Sequence, residues 1–295
     1  MRVFVTGATG WVGATVVEEL IGAGHTVLGL ARSDAGAATL AASGAEVVRG
    51  SIEDFDMLGR AAAGADGVIH TAFNHDFSKF VENSAADRAA IEALGRALEG
   101  SDRPLLVTSG LAFLADGRLA DEDDLPHPVS TASPRASELA AAALAERGVR
   151  VSSIRLSPSV HGAGDHGFVA MLIGIARTTG VSVYAGDGAN RWPGVHRIDA
   201  ARLYRLALER GASEARYHAV AEEGVPFRAI AEAIGRGLGV PTLSKSPEEA
   251  AAHFGWFARF AAIDAPSSSA RTRALLGWEP TQIGLIDDID RHYFG

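Results

Sequence analysis

The sequence predicts a doubly wound α/β protein, in which helices cover both faces of a parallel sheet and a smaller, mainly helical lobe follows. Three observations lead to this prediction. Short apolar runs alternate with longer, alanine-rich stretches of helical period, a glycine triplet stands in the first turn between run and helix, and the alternation stops near residue 157. Runs that are apolar throughout are typical of parallel strands buried on both faces, and the intervening helices complete βαβ units.

The strands of the sheet are predicted from six apolar runs. They are Arg2–Thr6, Thr26–Ala31, Glu46–Arg49, Gly67–Thr71, Pro104–Thr108 and Arg150–Leu156. The helices between them are predicted at Trp11–Ala23, Ala35–Ser43, Ile52–Ala63, Ala85–Glu99 and Arg135–Arg147. We expect ligands at the carboxyl ends of these strands, because the crevice of a doubly wound sheet lies there.

A second lobe is predicted after residue 160, where a glycine- and histidine-rich segment is followed by mostly helical patterns. We assign residues 1–160 to the sheet domain and expect residues 195–220 to return to it. Residues 161–194 and 221–295 are assigned to a lobe that roofs the crevice and binds the substrate.

The composition argues against several classes of partner. A net charge of −9 argues against nucleic acid, because phosphate binding needs a basic face. No apolar run reaches the roughly 18 residues of a membrane span, and the N-terminus shows no secretory signal pattern. The absence of cysteine excludes disulfides and cysteine-ligated metals. We therefore expect a cytoplasmic protein with a small-molecule partner, no membrane partner and no metal.

A phosphate cradle is predicted from Gly7, Gly10 and Gly13, which form G-x-x-G-x-x-G between the first strand and the first helix. The tight turn, the approach of backbone to a pyrophosphate and the close packing of helix on strand each favour a residue without Cβ. The helix would also direct free N–H groups and its positive dipole end at the phosphates. The sheet domain is therefore predicted to bind a dinucleotide; the alternative is a purely structural turn.

The identity of the dinucleotide is predicted from Arg32, which ends the second strand 19 positions after Gly13. An NAD site would carry an acidic residue near this position to bind the ribose. An arginine instead suits the 2′-phosphate of NADP through its charge and planar fork, and Ser33 could donate a further hydrogen bond. The alternatives are a surface arginine beside the next helix, or an inward Asp34 that favours NAD.

The motifs together resemble the short-chain dehydrogenase/reductase superfamily, specifically its extended and atypical branch of NAD(P)-dependent epimerase/dehydratase-like proteins. The resemblance covers nearly the whole chain and implies a Rossmann fold. It is carried by TGATGWVG, by GVIHTAF before the nicotinamide site, by LLVTSG at the catalytic serine strand, and by RLSPSVHG and GVHRIDAARLYRLALE further on.

The resemblance implies a set of cofactor contacts at matching positions, most of them through the backbone. They are Gly7, Thr9, Gly10, Trp11, Val12, Gly13, Arg32 and Ser33, with Thr71, Ala72 and Phe73 nearer the nicotinamide and Thr108, Leu156 and Ser157 closing the pocket.

The chain departs from this family at its proton relay. The family's Y-x-x-x-K motif aligns with SPRASELAAAALAERG, so that Pro134 stands for the tyrosine and Glu138 for the lysine. No tyrosine elsewhere in the chain is followed by lysine four positions later. The family's serine corresponds to Ser109 or, in the other register, to Gly110. The usual proton relay is therefore absent.

Other residues are candidates for the missing chemistry. Ser109 is predicted to polarise the substrate as a hydrogen-bond donor, and His161 is the candidate acid, because histidine is the commonest proton donor near neutral pH. The alternative for His161 is a polar histidine that bonds the backbone. His166 is a weaker candidate, and His161, Asp165 and His166 do not complete a metal site.

Substrate contacts are predicted at Asn74 and His75, after the fourth strand, with an ordinary loop as the alternative. Trp192 is assigned to the substrate site where the lobes meet, with core packing as the alternative. An aromatic stripe is interpreted as core, as the seam of a homodimer or as an apolar pocket; its members are Phe254, Trp256, Phe257 and Phe260.

The function predicted from these observations is an NADP-dependent oxidoreductase. It would reduce a carbonyl, an imine or an activated double bond of a small, fairly apolar substrate. One alternative is a redox-neutral isomerase, dehydratase or epimerase on the same fold. The other is a non-catalytic NADP-binding sensor.

Overall fold

The computed structural model describes residues 1–115, 117–130 and 134–294, and its first half alternates strand and helix. The elements of this part are β1 (Arg2–Thr6), α1 (Trp11–Gly22), β2 (Thr26–Ala31), α2 (Asp34–Ala42), β3 (Glu46–Arg49), α3 (Phe55–Ala63), β4 (Gly67–His70), α4 (Phe80–Arg96), β5 (Leu105–Gly110), α5 (Ser137–Glu146) and β6 (Val151–Leu156). The later elements are β7 (Ser159–His161), α6 (Phe168–Thr179), β8 (Ser182–Ala185), β9 (Arg191–His196), α7 (Arg197–Glu209), β10 (Arg216–Ala219), β11 (Glu222–Pro226), α8 (Phe227–Leu238), β12 (Thr242–Lys245), α9 (Pro247–Phe254), α10 (Ala258–Ala261), α11 (Ala270–Leu276) and α12 (Leu285–His292).

Seven parallel strands form the main sheet in the order β10-β6-β5-β4-β1-β2-β3. Strand β1 lies inside the sheet, with Val3 opposite Val27 of β2 and Gly67 of β4. The direction of winding reverses between β1 and β4, which is the switch point where such sheets form their ligand crevice. The predicted doubly wound fold is confirmed, and the glycine turn after β1 lies beside the end of β4.

Each face of the sheet has its own hydrophobic core. Val3 and Val5 point to the face covered by α1 and α7, whereas Phe4 points to the face covered by α3, α4 and α5. This follows from the two-residue period of a strand, which sends neighbouring side chains to opposite faces. A third core lies among the later elements and includes Trp192 and Phe227.

The later part of the chain contains strands that the sequence pattern did not predict. Strand β10 joins the main sheet beside β6, and the lobe carries two small sheets, β11-β9-β7 and β12-β8. These strands have three to six residues. Several interleave polar and apolar residues without a long apolar run, so their pairing depends on neighbours that are distant in sequence.

Helix α7 and strand β10 lie within residues 195–220 and pack in the same core as Val3. Trp278, from the range assigned to the lobe, is also fully buried in that core, and its indole N–H donates to the Asp199 carbonyl at 2.9 Å. The boundaries of the two domains stay a prediction. Within the described residues, no helix is both long and apolar enough to cross a membrane.

Candidate functional site

The glycine turn between β1 and α1 is closed too tightly for side chains at two of its positions. Gly7 has a φ of +66°, and a Cβ there would lie 2.6 Å from the amide nitrogen of Ala72. A Cβ on Gly13 would lie 2.1 Å from the carbonyl oxygen of Gly7. Both positions therefore require glycine, for the conformational and packing reasons that apply to a phosphate-binding turn.

The start of α1 is open to an anion. Its N-cap residue, Gly10, offers no capping side chain, and the first turn of the helix contains no acidic residue. The first N–H groups of a helix have no partner within the helix, so this end presents donors and a positive dipole end. Thr9 is exposed and lies next to Gly36 in the first turn of α2. Val12 packs against the hydrophobic core that contains Val3.

The end of β4 closes the other side of the turn. The Thr71 hydroxyl donates to the Thr6 carbonyl at 2.8 Å, and Ala72 and Phe73 follow as half-buried residues. The structure thus brings the glycine turn and these three predicted cofactor residues to one edge of the sheet. The indole N–H of Trp11 instead donates to the Val160 carbonyl at 2.7 Å, which fastens α1 to the segment that enters the lobe.

The end of β2 carries the residues assigned to the 2′-phosphate. Arg32 is exposed, and Ser33 caps α2 by accepting a hydrogen bond from the Gly36 amide at 3.1 Å. Asp34 faces solvent and pairs with Arg49 at 2.6 Å. The carboxylate is fully exposed at the start of α2, where a solvated ion pair contributes little.

Beyond β4, the ends of β5 and β6 hold Thr108, Leu156 and Ser157. The Thr108 hydroxyl donates to the His70 carbonyl and lies 2.7 Å from the Tyr204 hydroxyl; burial raises the pKa of Tyr204. Ser157 donates to the Ala219 carbonyl at 2.8 Å. The two hydroxyls are thus engaged within the protein, while Leu156 keeps a half-buried position.

The positions that correspond to the family's tyrosine and lysine hold no usable base. Pro134 is buried just before α5, and proline has no titratable side chain. Glu138 is 9% exposed and accepts hydrogen bonds from Nε and Nη2 of the fully buried Arg155 at 2.7–3.1 Å. A buried carboxylate in such a pair cannot leave its partner without a large cost, so Glu138 is a structural residue. Ser109 is 8% exposed at the end of β5, and the next residue, Gly110, is exposed.

Arg135 is a residue that the sequence analysis missed. Its Nε donates to the Ser137 hydroxyl at 3.0 Å, and its Nη2 donates to the Thr108 carbonyl at 3.0 Å. The guanidinium carbon lies 4.6 Å from the centre of the Phe73 ring. The available signal was its place directly after Pro134, the position that corresponds to the tyrosine.

His75 and His166 are both exposed and lie near one another. The His75 ring keeps contact with solvent, but the protein groups packed around it partly desolvate it and lower the pKa of His75. The positive charge of Arg135 lowers that pKa further, against a backbone hydrogen bond at Phe73 that raises it. The His75 ring contacts Phe73 edge-on, with centroids 5.3 Å apart. The predicted substrate residue Asn74 is exposed, and its side-chain oxygen accepts a hydrogen bond from the Asp76 amide at 3.1 Å.

His161 lies in the interior of the lobe. Only 1% of its surface is exposed, and its Nδ1 lies 2.8 Å from a carboxylate oxygen of Asp288. Its Nε2 has no hydrogen-bond partner among the described residues. Burial raises the pKa of Asp288, but hydrogen bonds from His161 and His292 outweigh it and lower that pKa. With its ring enclosed and paired with Asp288, His161 is better suited to a positioning role than to contact with the substrate.

Trp192 is likewise placed in a core. It is fully buried among Phe168, Phe227 and Phe257, with ring centroids 5.1–6.2 Å away. This placement corresponds to the packing alternative. In the aromatic stripe, Phe254 and Phe257 are buried and Phe260 packs against them, whereas Trp256 is 61% exposed.

The comparisons with known proteins agree with the fold. A model of the NAD dependent epimerase/dehydratase family matches residues 3–220. The chain is 49% identical over 292 residues to "Uncharacterized protein C2A9.02" of Schizosaccharomyces pombe, and the match covers 98% of each chain. It is 29% identical over 311 residues to the 4-hydroxy-2-methyl-3-oxo-4-farnesyl-3,4-dihydroquinoline-1-oxide ketoreductase of Stigmatella aurantiaca, covering 100% of this chain and 91% of the relative.

Among solved structures, the UDP-glucose 4-epimerase of Thermus thermophilus in complex with NAD is similar in fold. Its TM-score is 0.76 at 22% sequence identity, and the match covers 99% of this chain and 97% of that one. At this level of identity the likeness concerns the fold alone.

Proposed function

The chain belongs to the NAD dependent epimerase/dehydratase family, and from this premise we propose that it is an NADP-dependent oxidoreductase. It would reduce a carbonyl, an imine or an activated double bond of a small, fairly apolar substrate. The predicted resemblance to extended short-chain dehydrogenases/reductases is confirmed by the family match. The family contains redox-neutral enzymes as well as reductases, so the choice of reduction depends on the site.

The site fits a dinucleotide. A Cβ at Gly7 or Gly13 would collide with backbone at 2.6 and 2.1 Å, and such close turns let a pyrophosphate approach main-chain N–H groups. The residues that would hold it are the glycine turn, the first amides of α1 and the backbone from Thr71 to Phe73. When bound, the dinucleotide supplies hydride.

The preference for NADP is carried by the end of β2. Arg32 is exposed there, Arg49 ends the neighbouring strand, and the Asp34 carboxylate points into solvent, 2.6 Å from Arg49. A guanidinium at this place suits a 2′-phosphate, whereas a carboxylate would suit the free ribose hydroxyl of NAD.

The single observation that favours reduction is the loss of a base at the two relay positions. An enzyme that first oxidises an alcohol must take a proton from the hydroxyl group while hydride leaves the carbon. Pro134 cannot accept that proton, and Glu138 is held by Arg155. The same loss removes the acid of a reduction, because the two directions share one transition state. A net reduction, however, crosses that barrier once per turnover and can take its proton from solvent, whereas an oxidation followed by re-reduction crosses it twice without the relay. The name of the ketoreductase relative supports the same direction.

Within this proposal, Ser109 donates a hydrogen bond that polarises the substrate, because it ends β5 next to the exposed Gly110. His161 holds the lobe strand β7 against α12 through Asp288. The cytoplasmic location stays a prediction. The homodimer stays a prediction.

The test is steady-state oxidation of NADPH with panels of ketones, imines and enones. We expect turnover by the wild type and a loss of about 2–10-fold in Ser109→Ala, the range of one neutral hydrogen bond. His161→Ala is expected to lower stability without abolishing turnover in the folded fraction. Conversion of substrate without net loss of NADPH would favour a redox-neutral enzyme. Tight binding of NADPH with no turnover across the panels would favour a sensor.

A further inference from the structure

We propose that Arg135 binds a carboxylate of the substrate, so that the preferred substrates are oxo acids with an apolar body rather than neutral ketones. This inference rests on the proposed function, which it deepens by naming the charged group that the crevice recognises. The family's tyrosine–lysine relay does not account for an arginine next to Pro134, the residue at the tyrosine position. Arg135 therefore needs a separate explanation.

Arg135 lies at the carboxyl edge of the sheet, between the ends of β4 and β5. Its guanidinium packs on Phe73, which follows β4, and donates to the carbonyl of Thr108, which lies near the end of β5. The carboxyl edge is where a doubly wound sheet binds its ligands. The guanidinium is therefore next to residues predicted to line the nicotinamide end of the crevice.

The guanidinium is held in a defined orientation. Its Nε donates to the Ser137 hydroxyl at 3.0 Å, and that hydroxyl donates to the buried Asp87 at 2.6 Å. The second carboxylate oxygen of Asp87 lies 3.0 Å from Nε2 of His70. The charge of Asp87 is thus already engaged behind Ser137, and the chain of bonds acts as a support that fixes the Arg135 side chain.

The outer edge of the guanidinium remains available. An arginine has five N–H groups, and here one on Nε and one on Nη2 are used. Among the described residues no acceptor binds Nη1, and no carboxylate forms an ion pair with Arg135. Nη1 and Nη2 together form the fork that binds a carboxylate through two parallel hydrogen bonds.

The surroundings of Arg135 also favour an anion. Two other half-buried arginines pair with carboxylates of the fold: Arg191 with Asp264 at 2.9 Å and Arg205 with Glu19 at 2.7 Å. Arg135 has no carboxylate partner among the described residues, and such a cation in a protein of net charge −9 suits a ligand that brings negative charge of its own.

The first test compares benzoylformate with its methyl ester as substrates, at saturating NADPH. We expect the wild type to prefer the acid in kcat/KM, and Arg135→Ala to lose about 10–150-fold for the acid, the range for a hydrogen bond to a charged group, mainly through KM. The ester should change less than about threefold. Arg135→Lys should recover part of the loss, because it restores the charge without the fork. Arg147→Ala, an exposed arginine after the same helix, is the matched control and should match the wild type.

The second test does not depend on turnover. Benzoate and benzamide, then acetate and acetamide, are titrated calorimetrically into the NADP⁺-loaded protein, so that the phosphate cradle is already filled. We expect carboxylate binding by the wild type and the Arg147→Ala control, weaker binding by Arg135→Lys and none by Arg135→Ala, with the Kd for NADP⁺ unchanged.

Three outcomes would overturn the proposal. They are a wild type that favours the ester and binds neither carboxylate over its amide, an Arg135→Ala variant that binds carboxylate as the wild type does, and equal losses for acid and ester. The last would mean that Arg135 only supports the Thr108 carbonyl. If no substrate is reduced but carboxylate binding still depends on Arg135, the proposed reduction fails while this inference stands.

Discussion

Substitution of Gly13 by alanine is expected to force open the glycine turn that forms the cofactor cradle. The added Cβ would lie 2.1 Å from the Gly7 carbonyl oxygen and 2.7 Å from the Thr71 hydroxyl oxygen. Ordinary contacts of a Cβ begin at 3.4 Å, so one side must move by about 1.3 Å relative to the other. The oxygen of Gly7 is backbone, and the Thr71 hydroxyl is held by the Thr6 carbonyl at 2.8 Å. Neither neighbour can give way without opening the turn.

The expected cost in the free energy of unfolding is about 1–3 kcal/mol, the range for overpacking a well-packed site. NADPH binding should weaken by at least about tenfold, because about 1.4 kcal/mol of lost phosphate contact is enough for that change. Gly22→Ala is the matched control in the same helix, since a Cβ there meets no atom within 4 Å. It should stabilise the protein by roughly 0.5–1 kcal/mol through reduced chain entropy.

Urea unfolding followed by circular dichroism measures both stabilities, and NADPH fluorescence measures both affinities. The reasoning would be refuted if Gly13→Ala were as stable as Gly22→Ala and bound NADPH within threefold of the wild type. Such a result would mean that the turn is not closed against β4 as the structure describes.

Three further predictions concern the cofactor, the lobe and the core. Arg32→Ala should weaken NADPH by about 1.5–3 kcal/mol, as expected for a charged hydrogen bond, and leave NADH nearly unchanged; equal losses in fluorescence titrations would reject the 2′-phosphate assignment. The pKa of Asp288 is lowered in the folded protein, so its contribution to stability is present above the unfolded pKa of about 3.9 and is lost as the pH falls through the folded value. Asp288→Asn should therefore destabilise the protein at pH 7 in urea unfolding, with a smaller difference from the wild type at pH 3; a difference that does not shrink would contradict this. Trp192→Ala should lower the free energy of unfolding by about 3–5 kcal/mol, as for a buried aromatic side chain. If Trp192→Ala instead kept the stability of the wild type and changed the KM, Trp192 would be a substrate-binding residue.

Much of the sheet could be predicted because its signals are local. The apolar runs of β1 to β6 and the glycine turn after β1 are contiguous in sequence, and the predicted strands all lie in the main sheet. Strand β10 could not be predicted in this way: Arg216–Ala219 has no long apolar run and becomes a strand by pairing with β6.

The candidate site was only partly predictable. The backbone contacts of the cradle follow from position in a motif, since a turn between β1 and α1 brings its own amides together. The directions of side chains do not follow in this way. Arg135 was missed because its importance depends on Phe73 and Thr108, which come from two other strand ends.

By itself the sequence determined the doubly wound sheet, the place of the dinucleotide cradle and the loss of the tyrosine and lysine, because each depends on residues close together in the chain. Only the tertiary structure decided that His161 and Trp192 are buried and that Arg135 lies against Phe73 and the Thr108 carbonyl. The physical reason is that burial depends on which distant elements pack around a side chain. His161 and Asp288 are 127 positions apart in the sequence, so no local pattern of hydropathy could predict their contact.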